Sequence, residues 1–203
     1  MKITIISSSH QLSSQSLKVS NYFAQTINNL KECTASVIDL AEINLPFFNF
    51  VNLSNQGTKA IWENISSELA TSDGYVIVSP EYGGMATPIL KNFFLYVSGK
   101  KEMAFKPAII VGVSSGRGGA YVISDLRSNS YKNCMINYLP EHIIVRECNA
   151  VLNDDVLNPE NKGDYYLKQR INYAINLLLK HAEASQLVIN SNVIDTTTYP
   201  NGM

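Results

Sequence analysis

Hydroxyl side chains and glycines concentrate in three short segments of this 203-residue sequence. Residues 7–16 include six serines, residues 79–88 contain adjacent glycines beside Glu81 and Tyr82, and residues 114–119 read Ser-Ser-Gly-Arg-Gly-Gly. Hydroxyls and free backbone amides at the start of a helix bind anions, and glycine lets a flat ligand approach the main chain closely. The three segments are therefore candidate parts of a binding site for a planar or phosphorylated small molecule.

Each of these segments follows a predicted strand and precedes a predicted helix. The strands are apolar, largely β-branched runs at residues 2–6, 74–78 and 108–113, and the last two are typical of strands buried on both faces. After the second segment, Pro88 suits the first position of a helix, because its missing N–H is not needed there. Apolar residues then recur at helical spacing at Ile89, Leu90, Phe93, Phe94 and Val97.

The rest of the chain continues the alternation of strand and helix. Further strands are predicted at residues 35–40 and 135–145, clearest at 143–145, and further helices over residues 58–70 and from about Tyr165. This alternation indicates a parallel sheet with helices on both faces, in a single α/β domain of residues 1–189. Residues 190–203 lose the apolar periodicity and form a predicted polar C-terminal tail, either disordered or packed on a neighbouring subunit.

Composition and charge favour a small-molecule protein. A chain of this length with 45% hydrophobic residues can bury one large core. The net charge of −1, from 16 basic and 17 acidic residues, gives no electrostatic reason to expect nucleic acid or an anionic membrane as a partner. No apolar run approaches the ~20 residues that span a bilayer, and the N-terminus enters a strand directly, so we expect a cytoplasmic protein.

The cysteines indicate neither disulfides nor a metal site. Cys33, Cys134 and Cys148 are odd in number and form no Cys-x-x-Cys pair. We therefore expect ordinary thiols and no bound metal.

Two alternatives compete with a ligand-binding interpretation of these segments. Serines also cluster before helices simply to cap the first turn. Residues 112–116 match Gly-x-Ser-x-Gly, the nucleophile elbow of serine hydrolases, which would make Ser114 the nucleophile. The partners available in the order acid then histidine are Asp125 or Asp154, followed by His142 or His181.

The second segment carries a family resemblance. Pro-Glu-Tyr at residues 80–82, a short glycine-bearing turn and Leu-Lys-Asn at residues 90–92 together resemble the flavin loop of the NAD(P)H-dependent FMN reductases. That flavodoxin-like family includes quinone and azo-dye reductases. Where its members usually have a hydrogen-bonding residue and then a serine in the turn, this sequence has Gly83 and Met85.

The first and third segments are similar to the family in the same way. Ser8 and Ser13 match serines of its phosphate loop, whereas Ser7, His10 and Gln15 stand where glycine, arginine and asparagine are usual. Histidine replaces a permanent charge with one that is only partly present near neutral pH, so we expect FMN binding that is weaker or depends more on pH. Residues 114–119 approximate the glycine-rich loop of the family.

The resemblance implies a flavodoxin-like three-layer sandwich with a five-stranded parallel sheet in the order 2-1-3-4-5. In that order strands 1 and 3 are neighbours, and FMN binds beyond their carboxyl ends. The residues that the resemblance assigns to the phosphate are Ser8, His10, Ser13, Gln15 and Ser16. Those that it assigns to the flavin ring are Pro80, Glu81, Tyr82, Gly83, Gly84, Ser115 and Gly116. Arg117 is the candidate contact for a nucleotide phosphate.

The implied activity is an NAD(P)H-dependent oxidoreductase with FMN as cofactor and NADPH or NADH as co-substrate. A hydride passes from the nicotinamide to the flavin, and a quinone, azo compound or free flavin takes the electrons. The alternatives are a flavodoxin-like electron carrier without a substrate of its own, a serine hydrolase using Ser114, or a scaffold that has lost flavin. The resemblance also implies a homodimer or homotetramer. Phe47, Phe48 and Phe50 either face a partner subunit or fold onto their own core.

Overall fold

Five parallel strands form the central sheet of the computed structural model, which describes residues 1–43 and 45–202. The strands are β1 (Lys2–Ser7), β2 (Thr34–Asp39), β3 (Gly74–Pro80), β4 (Pro107–Val113) and β5 (Asn137–Val145). Their order is β2-β1-β3-β4-β5, and every neighbouring pair is parallel. This confirms the predicted fold. Asn44, in the loop after the second predicted strand, and Met203, at the end of the predicted tail, lie outside the described residues.

Helices cover both faces of the sheet. They are α1 (Gln15–Asn28), α2 (Phe50–Ser54), α3 (Gln56–Thr71), α4 (Pro88–Lys100), α5 (Ala120–Asn129) and α6 (Lys162–Ile189). Phe23 of α1 and Ile175 of α6 pack on one face of the sheet, in a core that includes Val76 and Val111. Trp62 of α3, Phe93 of α4 and Val122 of α5 fill the core on the other face. The strands of the middle layer are buried on both sides, since all seven residues of β3 and of β4 are buried.

Asparagine caps explain where three helices begin. The short helix α2, which the apolar pattern does not predict, starts after Asn49, whose side chain accepts a hydrogen bond from the Asn52 amide. Asn55 likewise accepts from the amides of Gly57 and Thr58, so α3 starts at Gln56 rather than at Thr58. Asn161 caps α6, which starts at Lys162 rather than near Tyr165. A side-chain oxygen of asparagine satisfies amides that have no partner inside the helix, so it fixes the first turn.

The last strand is irregular and lies at the edge of the sheet. Its pairing with β4 shifts register between Ala108 and Ile110, opposite the part of β5 that contains Pro140. Proline has no N–H for a ladder hydrogen bond, so it is tolerated on an edge strand beside a bulge.

The C-terminal segment after α6 contains no helix or strand over residues 191–202. Gly202 lies close to Lys132 in the connection between α5 and β5, where an added Cβ atom would come within 2.6 Å of the Lys132 carbonyl oxygen. The described part of the tail therefore turns back towards the body of the molecule. Among the described residues, no helix combines the length and apolar character that crossing a bilayer requires.

Candidate functional site

The loops after β1, β3 and β4 meet around one pocket of about 280 Å³. Because all five strands are parallel and β3 lies between β1 and β4, the carboxyl ends of these three strands share one edge of the sheet. The pocket is lined by Ser9, Gln11, Ser14, Gln15, Ser16, Pro80, Glu81, Tyr82, Val113, Ser114, Ser115 and Cys148. Six of the residues predicted for the site are in this lining, namely Gln15, Ser16, Pro80, Glu81, Tyr82 and Ser115.

The start of α1 forms one end of the pocket. Ser14 caps the helix, since its hydroxyl accepts from the Leu17 amide at 3.1 Å. The amides of Gln15 and Ser16 have no acceptor inside the helix, because no helical carbonyl lies four residues before them. They therefore remain available to a ligand. Together with the positive end of the helix dipole, they favour an anion at this position.

Two serines predicted for the phosphate lie elsewhere. The Ser8 hydroxyl is buried and donates to the Val78 carbonyl at 2.8 Å, while Thr87 donates to the Ser8 carbonyl at 2.7 Å. Ser8 therefore connects the end of β1 to β3 through its hydroxyl and to the start of α4 through its carbonyl. Ser13 adopts a left-handed conformation, with φ of 53°, and lines a neighbouring cleft of about 490 Å³ on the outer side of Ser14.

A histidine and a tyrosine bring the first loop to the second. The ring of His10, which is exposed, stacks on the ring of Tyr82, and Tyr82 Oη lies 3.3 Å from Ser9 Oγ. The Ser9 hydroxyl also accepts from the Gln11 amide at 3.1 Å. His10 is thus at the rim of the pocket, in the loop that leads to the anion-binding end of α1.

Tyr82, which lines the pocket, opens a tight turn at residues 82–85, and the predicted residues Gly83 and Gly84 lie outside the lining. Tyr82 and Met85 exchange two backbone hydrogen bonds of 3.1 Å, and Gly83 and Gly84 between them have φ of 58° and 76°. Such dihedral angles are strained for residues with a Cβ atom. A Cβ atom built on Gly84 meets nothing within 4 Å, so the space beside this main chain is open to a ligand.

The carboxylate of Glu81 is directed at the start of α5. It accepts from the Gly119 amide at 2.7 Å and from the Tyr121 amide at 3.1 Å. These hydrogen bonds hold the loop after β4 against the loop after β3. They also occupy amides at the N-terminus of α5, so this helix end is less available to an anion than the N-terminus of α1.

Hydrogen bonds fix the shape of the loop after β4, which lines one side of the pocket. The Ser114 hydroxyl accepts from the amides of Gly116 and Gly118, both at 3.2 Å. Residues after β5 bond to the same loop, because the Cys148 amide donates to the Ser114 carbonyl at 3.1 Å. Ser115, Gly116 and Arg117 are exposed, and of these three only Ser115 lines the pocket.

The hydrolase alternative gains no support from this geometry. Among the described residues, the hydrogen bonds of the Ser114 hydroxyl run to backbone amides, with no histidine or carboxylate among its partners. Asp125 instead pairs with Lys91, and Asp154 with Lys168. The Nδ1 atom of His142 contacts the Pro140 carbonyl, and His181 is exposed on α6.

Some of the residues that line the pocket were not predicted from the sequence. Ser14 could have been found as the serine directly before the helix, where capping residues are preferred. Cys148 follows the fifth strand and reaches the pocket only because its backbone bonds to Ser114, a contact without a local sequence pattern. Burial raises the pKa of the Cys148 thiol, so this thiol is uncharged at neutral pH.

The fold is that of the flavodoxin-like proteins, which carry their ligand at the switch between the first and third strands. The chain belongs to the NADPH-dependent FMN reductase family, whose model matches residues 1–149. It is therefore an NAD(P)H-dependent oxidoreductase that uses FMN.

The chain is also similar to individual known proteins. The chain is 24% identical to an NADPH azoreductase from Bacillus sp. (strain OY1-2) over 146 residues, which is 71% of this chain and 76% of that protein. It is similar in fold to FerB, a flavoenzyme NAD(P)H:(acceptor) oxidoreductase from Paracoccus denitrificans, with a TM-score of 0.69 at 17% identity over 89% of this chain and 97% of that one. An oxidoreductase from Corynebacterium diphtheriae has a TM-score of 0.61 at 18% identity, over 94% and 98% of the two chains.

Proposed function

We propose that this protein binds FMN in the pocket between the three loops and passes electrons from NADPH or NADH to a quinone, an azo compound or a free flavin. The observation that carries the proposal is one pocket that joins an anion-binding helix end to Tyr82, the first residue of a glycine turn with an open main chain. FMN has a phosphate and a planar ring, and these two ends of the pocket fit them. The azo acceptor is also suggested by the name of the Bacillus relative.

The phosphate end depends on backbone more than on side chains. The amides of Gln15 and Ser16 at the start of α1 would donate to the phosphate, and both residues line the pocket. His10 at the rim would add positive charge when it is protonated. Ser8 acts indirectly, since its hydroxyl keeps β1 and β3 in register below the loop.

The ring end depends on the turn at residues 82–85. The amides of Gly83 and Gly84 can approach the ring because no Cβ atom separates them from it. FMN, when bound, supplies the redox chemistry by accepting a hydride from the nicotinamide and releasing electrons to the acceptor. The turn would favour the reduced state, since backbone amides stabilise negative charge.

The outer side of the pocket would receive the nucleotide and then the acceptor. Arg117 is exposed on the loop after β4, where its guanidinium can meet a phosphate of NAD(P)H. We infer a ping-pong cycle, in which the oxidised nucleotide leaves before the acceptor occupies the same space.

We also infer a homodimer or homotetramer from the loop after β2. Phe48 packs edge-on against Tyr96 at 5.4 Å, whereas the side chains of Phe47 and Phe50 are 78% and 85% exposed. Exposed aromatic side chains close together, here in the loop after β2 and at the start of α2, are typical of a surface that a partner covers.

An absorbance titration tests the function. The purified protein is mixed with FMN, freed from excess and treated anaerobically with NADPH or NADH. We expect a retained yellow flavin that bleaches with at least one nucleotide and recovers with a quinone or an azo dye. Flavin that stays bound but is reduced by neither nucleotide would indicate an electron carrier. Failure to bind flavin would reject the proposal.

A further inference from the structure

Two carboxylates connect the glycine turn at residues 82–85 to helix α5, one at each end of the turn. Glu81 precedes the turn, and its side chain accepts from the amides of Gly119 and Tyr121 at the start of α5. Asp125 lies one turn further along α5, and its side chain accepts from the Ala86 amide, directly after the turn, at 2.9 Å. The connection is therefore reciprocal, because each segment supplies a carboxylate to backbone amides of the other.

Asp125 is itself held in place by neighbouring side chains. Lys91 of α4 forms a salt bridge to it at 2.9 Å, and Asn129 donates to it at 2.6 Å. Burial alone would raise the pKa of Asp125, but the hydrogen bonds from Lys91, Asn129 and the Ala86 amide lower it, so the carboxylate is charged at neutral pH. A charged acceptor makes a stronger hydrogen bond to an amide than a neutral one does.

We propose that Glu81 and Asp125 are positioning residues that together fix the turn at residues 82–85 against α5, so that its backbone is already in place when the flavin ring binds. The inference rests on the proposed FMN site. Glycine-containing turns lose much conformational entropy when they are ordered. Because both ends of the turn are anchored to a helix, the turn is ordered during folding. The loss of entropy therefore does not weaken binding.

The inference predicts an effect confined to the ring end of the site. The phosphate end is formed by α1, which contributes to neither carboxylate connection. Loosening the turn should therefore lower the affinity for FMN and for riboflavin by the same factor, because the two ligands share the ring and differ in the phosphate. Damage at the start of α1 should weaken FMN and leave riboflavin largely unchanged.

The experiment compares four single variants with the parent protein. Glu81→Gln and Asp125→Asn keep the shape of each side chain and remove its charge, and Asn129→Ala removes one support of Asp125 without changing either carboxylate. Glu141→Gln is the matched control, since it neutralises a carboxylate that pairs with Arg170 at 2.7 Å. Dissociation constants for FMN and for riboflavin are measured by quenching of flavin fluorescence. The visible spectrum of bound FMN and the melting temperature of the flavin-free protein are recorded alongside.

We expect Glu81→Gln and Asp125→Asn to weaken the binding of both flavins about tenfold and equally, the effect of replacing a charged acceptor by a neutral one. Asn129→Ala should weaken both about threefold, and the absorption band of bound FMN should shift in all three variants. Glu141→Gln should leave affinity and spectrum unchanged.

Three results would overturn the inference. The first is unchanged riboflavin affinity in Glu81→Gln and Asp125→Asn, and the second is a loss of affinity for FMN alone. The third is a loss of flavin affinity equal to that in Glu141→Gln, at a similar fall in melting temperature. A variant that does not fold leaves the decision to Asn129→Ala, whose side chain is on the exposed face of α5. If the parent protein binds neither flavin, the proposed function fails and the inference fails with it, a result distinct from a parent that binds and variants that bind equally well.

Discussion

The imidazole of His10 stacks on the phenol ring of Tyr82, with the ring centroids 6.2 Å apart and the planes inclined by 29°. The contact joins the loop that leads into α1 to the turn that follows β3. If His10 takes the place of the arginine that the resemblance implies here, the stacked ring puts an imidazole where a permanent charge is expected.

Replacing His10 should change how FMN binding depends on pH. We expect His10→Ala to weaken FMN binding about three- to tenfold at pH 5.5 and less at pH 8, because only a protonated imidazole attracts the phosphate. The measurement is the FMN dissociation constant of parent and variant across pH 5.5 to 8. His142→Ala removes an exposed histidine from β5 and serves as the control. Equal affinities for His10→Ala and the parent at every pH would place His10 outside the phosphate site.

Removing the Ser114 hydroxyl should affect stability and spare catalysis. Because this oxygen accepts from two backbone amides, we expect Ser114→Ala to lower the free energy of unfolding by about 1–2 kcal/mol. In a chain of this size, each kcal/mol corresponds to about 2–4 °C in melting temperature. Calorimetry and reduction of FMN by NADPH or NADH test the two statements, with Ser115→Ala as the neighbouring control for stability. Ester hydrolysis that disappears in Ser114→Ala, with no flavin bound by either protein, would restore the hydrolase interpretation.

A side chain at Gly84 should impair binding more than folding. Its φ of 76° makes alanine cost about 1 kcal/mol of stability, although the added Cβ atom meets no protein atom within 4 Å. The same atom occupies space that we assign to the flavin ring, so we expect Gly84→Ala to weaken FMN at least tenfold. Gly163→Ala is the contrasting variant, because this residue lies in the first turn of α6 with open space around it and should tolerate alanine without affecting binding. Full FMN affinity in Gly84→Ala would move the ring away from this turn.

Lys106 should make the protein more stable at alkaline pH. Its ammonium group donates to the carbonyls of Leu69 and Ala70 at the end of α3, and burial lowers the pKa of Lys106 to about 8. Unfolded chains retain a proton on lysine up to about pH 10.4. Above pH 8 the unfolded state therefore binds more protons than the folded state, and this group's contribution to stability rises with pH.

The window for that measurement is about pH 8 to 10. Burial raises the pKa of Tyr75, so above about pH 10 the unfolded state loses phenol protons that the folded state retains, and stability falls again. Urea unfolding gives the free energy of unfolding of the parent and of Lys106→Met. The value for the parent minus that for the variant should rise across this window. A constant difference would mean that Lys106 titrates normally.

The sheet was predictable because burial on both faces leaves an unambiguous pattern. β3 and β4 are continuous apolar runs, and the loops that follow strands of a parallel sheet must share one edge. The start of α2 was not predictable from apolar spacing, since none of its residues is buried and Asn49 alone fixes its first turn.

Within the site, the sequence located the loops better than the side chains. In a run of serines nothing local distinguishes Ser8, whose hydroxyl is buried against Val78, from Ser9, which lines the pocket. The carboxylate of Glu81 bonds to residues 38 and 40 positions away, a contact that only the assembled fold creates. The assignment of individual residues to FMN, a cytoplasmic location, a homo-oligomer and the division at residue 190 stay predictions.

The irregular edge strand also has a consequence for association between copies. An exposed, regular strand offers a row of free N–H and C=O groups on which another chain can add a strand. In β5 the register break, Pro140 and the neighbouring charge of Glu141 interrupt that row. The sheet is thereby protected against edge-to-edge aggregation at this side, and copies that associate are directed to surfaces formed by side chains, such as the loop of Phe47 and Phe50.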